Sequence, residues 1–494
     1  MKNLQLTFLF VFITSMLQAQ TKNVFLDRAF WKTKPTVVII DQKIKENNNP
    51  SALTSNGFDA VANAILAEAP NTAIKHLLKQ KGNDVNKLTH DKRTYVFWAA
   101  YKGNLELVKH LIDNKARLDL KDSHNFSPLT FAAAAGQTNT KIYDVLIKNG
   151  IDIKNDVNEN GANALLLVIP NLKDFALVDY FTTKGLSLTS LDNDGNGAFN
   201  YAAKNGNKKI AELLVKKGIS YKNLNKNGGN AFLLASRGSR SGYNSLAFFK
   251  YLENLGINPN ITNNEGKNPI HNLAYGNKDI ATFNYFISKG IDINKADATG
   301  NTPLLNATRR NSLEVIKLLA SKTKSINHTN KEGKSALTNS LSNSIAVVNF
   351  LLEKGTKTSI IDAKGNYLNY YLFKTFNAKK TTEFQQKLNL LKAKGLNVEE
   401  TQKNGNTLFH LAVKKQSIAM LNLIAEYKID INAKNNKGLS ALQEAVLIAK
   451  NDKIIKHLLS KGADKNVKTD FDETLYDLAK ENESLKNTDI SFLK

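Results

Sequence analysis

The sequence predicts an all-α-dominated repeat solenoid of about thirteen units, and three observations predict it. A helix-ending glycine followed by an apolar–acidic–apolar–Asn phrase keeps returning, as in Gly290-Ile291-Asp292-Ile293-Asn294 and Gly462-Ala463-Asp464-Lys465-Asn466. Its slot falls at Gly82, Lys115, Gly150, Gly185, Gly218, Gly256, Gly290, Thr323, Gly355, Gly395, Lys428 and Gly462, with spacings between 32 and 40 residues. A second glycine marks a turn at Gly161, Gly195, Gly228, Gly266, Gly300, Gly333, Gly365, Gly405 and Gly438. Between the two ladders, apolar residues recur at helical spacing. Length alone, 494 residues, would suggest roughly three globular domains. The shared period replaces them with one array.

Each repeat reads as two short helices. After Gly300-Asn301, Thr302 is placed to cap a first helix and Pro303 suits its first turn. Leu313, Val315, Ile316, Leu318 and Leu319 then give a second helix one apolar face, and the slot glycine closes it with positive φ. The pattern resembles the ankyrin repeat, with its Thr-Pro-Leu-His-x-Ala opening. The matching strings are Thr302-Pro303-Leu304, Asn268-Pro269-Ile270-His271, Ser127-Pro128-Leu129 and Thr407-Leu408-Phe409-His410-Leu411-Ala412. The resemblance covers about residues 30–494. It implies a helix–turn–helix plus a β-hairpin loop in each unit, and a binding scaffold rather than an enzyme. It places a degenerate first repeat within 20–50, the solenoid proper over 51–469, and a capping half-repeat over 470–494. The least regular units, 151–185 with Val168-Ile169-Pro170 and 356–395, are the expected weak points of the stack.

The N-terminus carries an address. Lys2, the apolar run from Leu4 to Ile13 and the small residue Ala19 make a secretory signal peptide over 1–19. No second run of about 20 apolar residues follows, so no membrane span is expected after cleavage. Export is expected, to a bacterial periplasm first and the exterior second.

Chemistry-bearing motifs start and then fail. There are no cysteines, which excludes disulfides, a thiol nucleophile and Cys-ligated metal. Gly333-Lys334-Ser335 ends like a phosphate loop, but His328 stands where its first glycine belongs. Gly238-Ser239-Arg240-Ser241-Gly242 puts Arg240 in a nucleophile's place. Asp192-Asn193-Asp194-Gly195 opens like a calcium loop, yet Ala203 replaces its closing Glu, and the hairpin turn accounts for Asp192 and Gly195. The eight histidines do not cluster, and His271 and His410 sit in the repeat's own His slot, where the ring is expected to hydrogen-bond within the stack. No catalytic residue, cofactor or metal is expected.

The charge is +24, from 68 Lys+Arg against 44 Asp+Glu. Much of it sits at second-helix ends, for example Lys184, Lys289 and Lys322, where a cation complements the helix dipole. A second set falls where the first helix faces the binding groove of such repeats: Tyr101, Lys102, Lys204, Arg237, Tyr275, Arg309, Arg310, Lys414 and Lys415. One turn earlier stand Trp98, Phe131, Leu167, Tyr201 and Leu234, then Asn272, Asn306 and Asn339. That switch predicts an apolar N-terminal groove and a polar middle one, with packing between neighbours as the plainer alternative. Two insertions, containing Arg237–Gly242 and Lys374–Lys380, fall between the helices of a unit. The expected partner is therefore a protein with an acidic surface, bound in the groove through Trp98, Phe131, Tyr201 and the basic and Tyr positions. The alternative is a polyanion: lipopolysaccharide, acidic polysaccharide or nucleic acid.

Overall fold

Short helices cannot satisfy their own ends, because the first four N–H and last four C=O groups lack intrahelical partners. This chain answers with caps inside each repeat and clamps between repeats. A computed structural model describes residues 23–239 and 241–494; the signal peptide expected over 1–19 and Arg240 lie outside the described residues. Among them are thirteen helix pairs, from Arg28–Lys32 with Val37–Lys45 to Ala441–Ile448 with Lys453–Ser460, followed by a closing helix, Leu475–Glu481. The all-α repeat architecture is as the glycine ladders predict. No described helix is long and apolar enough to cross a membrane.

The chain forms two compact units. The first runs to Ala202 and includes Lys209–Ile219. In it the first helices Ala60–Leu66, Tyr95–Lys102, Pro128–Ala134 and Ala164–Val168 pack on one another in order, and Leu105–Asp113 packs on Thr140–Lys148. Its starting pair is sealed by Phe25 and Trp31, stacked at 5.5 Å, with the indole N–H donating to the Phe25 carbonyl at 2.9 Å. At the irregular repeat the first helix stops at Val168 and passes through a 3-10 turn, Ile169–Asn171, because Pro170 has no N–H to continue it.

The second unit comprises Ala203–Lys208 and Ser220–Lys494. Pro303–Thr308 packs on Ala336–Ser340, Leu368–Lys374 on Leu408–Lys414, and Ala441–Ile448 on the closing helix. Both insertions lie between the helices of their pairs, and the second also lengthens its second helix to 13 residues, Thr381–Ala393.

The loops are hairpin turns with isolated bridges such as Thr329↔Ser335 and Ile361↔Tyr367, and none of those described extends into a strand. An Asp or Asn side chain holds most of the described turns. Asp297 Oδ1 accepts the N–H groups of Thr299 and Asn301, both at 2.9 Å. Asp192 Oδ1 does the same for Asp194 and Asn196, which gives the calcium-like string a structural job. Successive turns are tied backbone to backbone. The Ala298 N–H reaches the Glu265 carbonyl at 2.7 Å, Lys331 reaches Thr299 at 3.0 Å, and Ala363 reaches Glu332 at 2.9 Å.

That close approach separates the two glycine ladders. At the turn glycine Gly333, φ is +76° and a Cβ would sit 2.7 Å from the Asp362 Cα. At the helix-ending Gly355, φ is +81° but nothing lies within 4 Å of a Cβ. Gly355→Ala is therefore expected to cost about 1–2 kcal/mol for its positive φ alone. Gly333→Ala should cost more, since the neighbouring backbone must also move. Urea unfolding midpoints of the two variants check the order.

The His slot works as a neutral acceptor. The N–H of Asn268 donates to His271 Nδ1 at 3.2 Å, and that of Thr407 to His410 Nδ1 at 3.1 Å. His410 Nε2 donates in turn to the Leu439 carbonyl at 3.0 Å. Gln443 fills the same role elsewhere, its Oε1 accepting from Ser440 N–H at 2.9 Å. Burial pushes both imidazoles below their ordinary range. The unfolded rings take up protons below about pH 6.5 while the folded ones resist. Stability is thus complete above that pH and falls as pH drops through the window beneath it, by at most about 1.4 kcal/mol per pH unit per ring. The double variant His271→Gln/His410→Gln should flatten that fall, as measured by urea unfolding at pH 7.5 and 5.5.

Candidate binding groove

In several repeats the first helix ends with carbonyls that its own turn does not satisfy, and an amide from the following repeat takes them. Asn311 Nδ2 donates to the Ala274 and Asn277 carbonyls at 2.8 and 3.0 Å. Asn343 Nδ2 donates to those of Thr308 and Asn311, both at 3.0 Å. At the long insertion a lysine replaces the amide. Lys387, 6% exposed, donates to the Leu341 and Asn343 carbonyls at 3.2 and 2.5 Å and pairs with Glu383 at 3.0 Å.

This clamp corrects part of the expected groove. Lys415 is a clamp as well: its ammonium donates to the Lys374 and Phe376 carbonyls at 2.7 and 3.3 Å, and burial followed by the nearby Lys374 charge lowers its pKa. Lys414 faces Glu444 at 3.6 Å, and Lys102 pairs with Glu68. The polar middle stretch is also engaged. Asn272 Nδ2 donates to the Leu233 carbonyl at 3.0 Å, Asn306 to that of His271 at 3.2 Å, and Asn339 to that of Leu305 at 3.2 Å.

In the first unit, the expected apolar groove is packing. Trp98 is 4% exposed, and its indole N–H donates to Thr89 Oγ1 at 2.8 Å. Phe131 meets Trp98 edge-on at 5.7 Å and stacks with Tyr101 at 5.5 Å. The Arg93 guanidinium lies 4.2 Å from the Phe131 ring centroid and pairs with the buried Asp122 at 2.7 Å. Tyr201, 9% exposed, donates to Asp192 at 3.1 Å, and burial pushes its phenol pKa up. Arg93 escaped sequence reasoning because it precedes the first helix, outside the positions expected to face a partner.

In the second unit several of the positions are exposed. Lys204 and Arg237 are exposed, and Tyr275 is 50% exposed. Tyr275 and Arg309 share a cleft of about 450 Å³ between the turns and first helices, where Leu305, Asn306 and Asn339 form its floor. Arg309 continues into a second cleft, of about 720 Å³, together with Arg310 and the insertion residues Lys374 and Lys380. The shorter insertion supplies Tyr243, which lies against Gly238 and Gly276 and close enough to Arg310 and Tyr275 to feel both. Sequence reasoning flagged both insertions by their length without placing Tyr243 or Lys380 beside the arginines. Among the described residues, no group of three or more acidic or histidine side chains is arranged to hold a metal ion.

Trp98→Ala is expected to destabilise the first unit by about 3–5 kcal/mol, the usual loss for a buried aromatic. Both tryptophans of the chain, Trp31 and Trp98, are buried. Native fluorescence should therefore be blue-shifted and resist acrylamide quenching.

The family described as ankyrin repeats (3 copies) matches residues 63–157, 165–263, 238–330, 270–362 and 379–469, more than half of the chain. An ankyrin repeat protein, L371 of Acanthamoeba polyphaga mimivirus, is 27% identical over 210 residues, 40% of this chain and 26% of that protein. The 26S proteasome non-ATPase regulatory subunit 10 of Dictyostelium discoideum is 32% identical over 80 residues, 16% of this chain and 34% of that protein. The chain thus spans about a quarter and a third of these relatives. Among solved structures, a chain from the complex of the Bdellovibrio bacteriovorus predatory endopeptidase Bd0816 with the immunity protein Bd3460 matches with a TM-score of 0.32 and 20% identity, over 38% of this chain and 96% of that chain.

Proposed function

The chain belongs to the ankyrin-repeat family, whose members typically mediate protein–protein interaction, and from that premise we propose that it is a non-enzymatic scaffold binding another protein. The groove of the second unit is its binding surface. One observation carries this reading: Arg309 and Arg310 are exposed and without an ion-pair partner among the described residues, and Tyr275 stands half-exposed beside Arg309 in the same cleft. Arg and Tyr are favoured anchors at protein interfaces. The signal-like segment at 1–19 supports export, to a bacterial periplasm, as part of the same proposal. The rival reading is a polyanion binder, favoured by the net charge of +24.

Salt separates the two. The full chain should retain a stoichiometric protein from cell-envelope extracts after a wash at about 0.5 M salt, where the screening length is about 4–5 Å. Tyr275→Ala/Arg309→Glu should release that protein, and a matched reversal of the exposed Lys109 and Lys209 should not. Recovery of anionic polymer alone, lost in the wash, would overturn the scaffold reading.

A further inference from the structure

We propose that the cleft formed by Arg309, Arg310 and the Lys374–Lys380 insertion is the site for an acidic peptide segment of the partner, a refinement that rests on the scaffold reading. The carbonyls at this edge are already satisfied. Thr308 and Asn311 are taken by Asn343, Leu341 and Asn343 by Lys387, and the Arg309 carbonyl by the Ser342 hydroxyl at 3.3 Å. The cleft's one carboxylate, Glu383, is spent on Lys387. Arg309, Arg310, Lys374 and Lys380 therefore line a single cleft of about 720 Å³ with no acidic partner among the described residues. Lys374 rests on the Tyr370 ring at 5.8 Å, a contact that leaves its charge uncompensated.

Four like charges held together repel one another, and an incoming anion relieves that repulsion. Arginine adds geometry, because its planar fork matches a carboxylate with two parallel hydrogen bonds.

The adjoining cleft decides between a peptide and a polyanion. A polymer with regularly spaced negative charge needs a continuous cationic track. The neighbouring cleft instead presents Tyr275, Leu305, Asn306 and Asn339; of its two lysines Lys334 is paired with Glu332, which leaves Lys331 as a single cation beside Arg309 rather than a track. The amide N–H groups of Asn306 and Asn339 are used within the stack, while no described donor reaches their Oδ1 atoms. Free carbonyl oxygens suit the N–H groups of an extended peptide. Arg309 joins the two clefts, so one segment with an uncharged stretch and an acidic block fits both.

The test uses the full chain and fluorescence anisotropy. The probes are a labelled peptide carrying a run of glutamates in a Gly/Ser background, its glutamine counterpart, and a single-stranded oligonucleotide. The glutamate peptide should bind at least about tenfold more tightly than the glutamine one, the scale of a lost charge-assisted contact. Arg309→Glu/Arg310→Glu and, separately, Lys374→Glu/Lys380→Glu should each weaken it by at least about tenfold, with unfolding midpoints unchanged. The reversal Lys109→Glu/Lys209→Glu, made in the first unit, should leave it within about twofold. The inference is overturned if the wild-type chain does not bind the glutamate peptide, if the cleft reversals leave binding intact, or if the oligonucleotide binds more tightly and both sets of reversals weaken it alike. A partner retained from extracts by the cleft variants would sink this site and leave the scaffold standing. Peptide binding with no protein partner recovered would do the reverse.

Discussion

Many repeats of this chain leave C-terminal carbonyls of their first helix for the next repeat to satisfy. The first helices are short, five to eight residues, so their unsatisfied ends are a large share of the backbone. A buried acceptor left open costs about 1–3 kcal/mol. Asn244, Asn311, Asn343 and Asn482 remove that cost by donating across to the preceding repeat, at Ala203, Ala274, Thr308 and Val446 respectively. Helix pairs clamped in this way do not close their own edges, and stability in such arrays is shared between adjacent repeats. Most of the described hairpin turns repeat the same logic in backbone form, donating one N–H to the turn before.

The same clamp governs where the charge goes. When the long insertion moves the second helix, an amide no longer stands at the carbonyls, and Lys387 reaches them with a longer stem. Lys415 does so one repeat later. Other lysines tie neighbouring second helices, Lys75 to Glu106 at 2.6 Å, Lys184 to Asp144 at 2.7 Å and Lys289 to Glu253 at 2.5 Å. Many cations are thus bonded within the fold, to carbonyls or to acidic neighbours. The net charge of +24 does not by itself locate a binding surface, since a total does not report which charges are still open.

How much of this was legible in sequence follows from how local each signal is. A positive-φ glycine, a Thr-Pro start and an apolar helical face are properties of one repeat, so the architecture could be read directly. The two ladders shared a period, but their different causes were hidden: Gly355 answers only to its own backbone, whereas Gly333 answers to Asp362 in the following turn. Trp98 was misleading for a similar reason. Its place in the row suggested a groove position, while its neighbours Thr89 and Arg93 from the preceding turn and Phe131 from the next repeat pack around it. Asn272, Asn306 and Asn339 read as a polar lining because their acceptors lie 34 to 39 residues away. Lys415 failed as a groove residue on the same count. Its identity says cation, and only the carbonyls across the gap say clamp.

A binding surface in such a molecule is best recognised by subtraction. Every repeat offers the same positions, and the fold consumes most of them: aromatics in packing, amides on carbonyls, lysines on acidic neighbours. Trp98, Tyr201, Lys102 and Lys415 were chemically as plausible as Arg309 and Arg310, and differ from them only in being occupied. Occupied groups are costly to redeploy, since a partner would have to replace bonds already made. Groups without internal partners carry no such cost, and their side chains are free to reorganise around a ligand. The insertion at 374–380 adds Lys374 and Lys380 to the two arginines without contributing an open carboxylate. Local imbalance, rather than the composition of the whole chain, is therefore what sets this edge of the second unit apart.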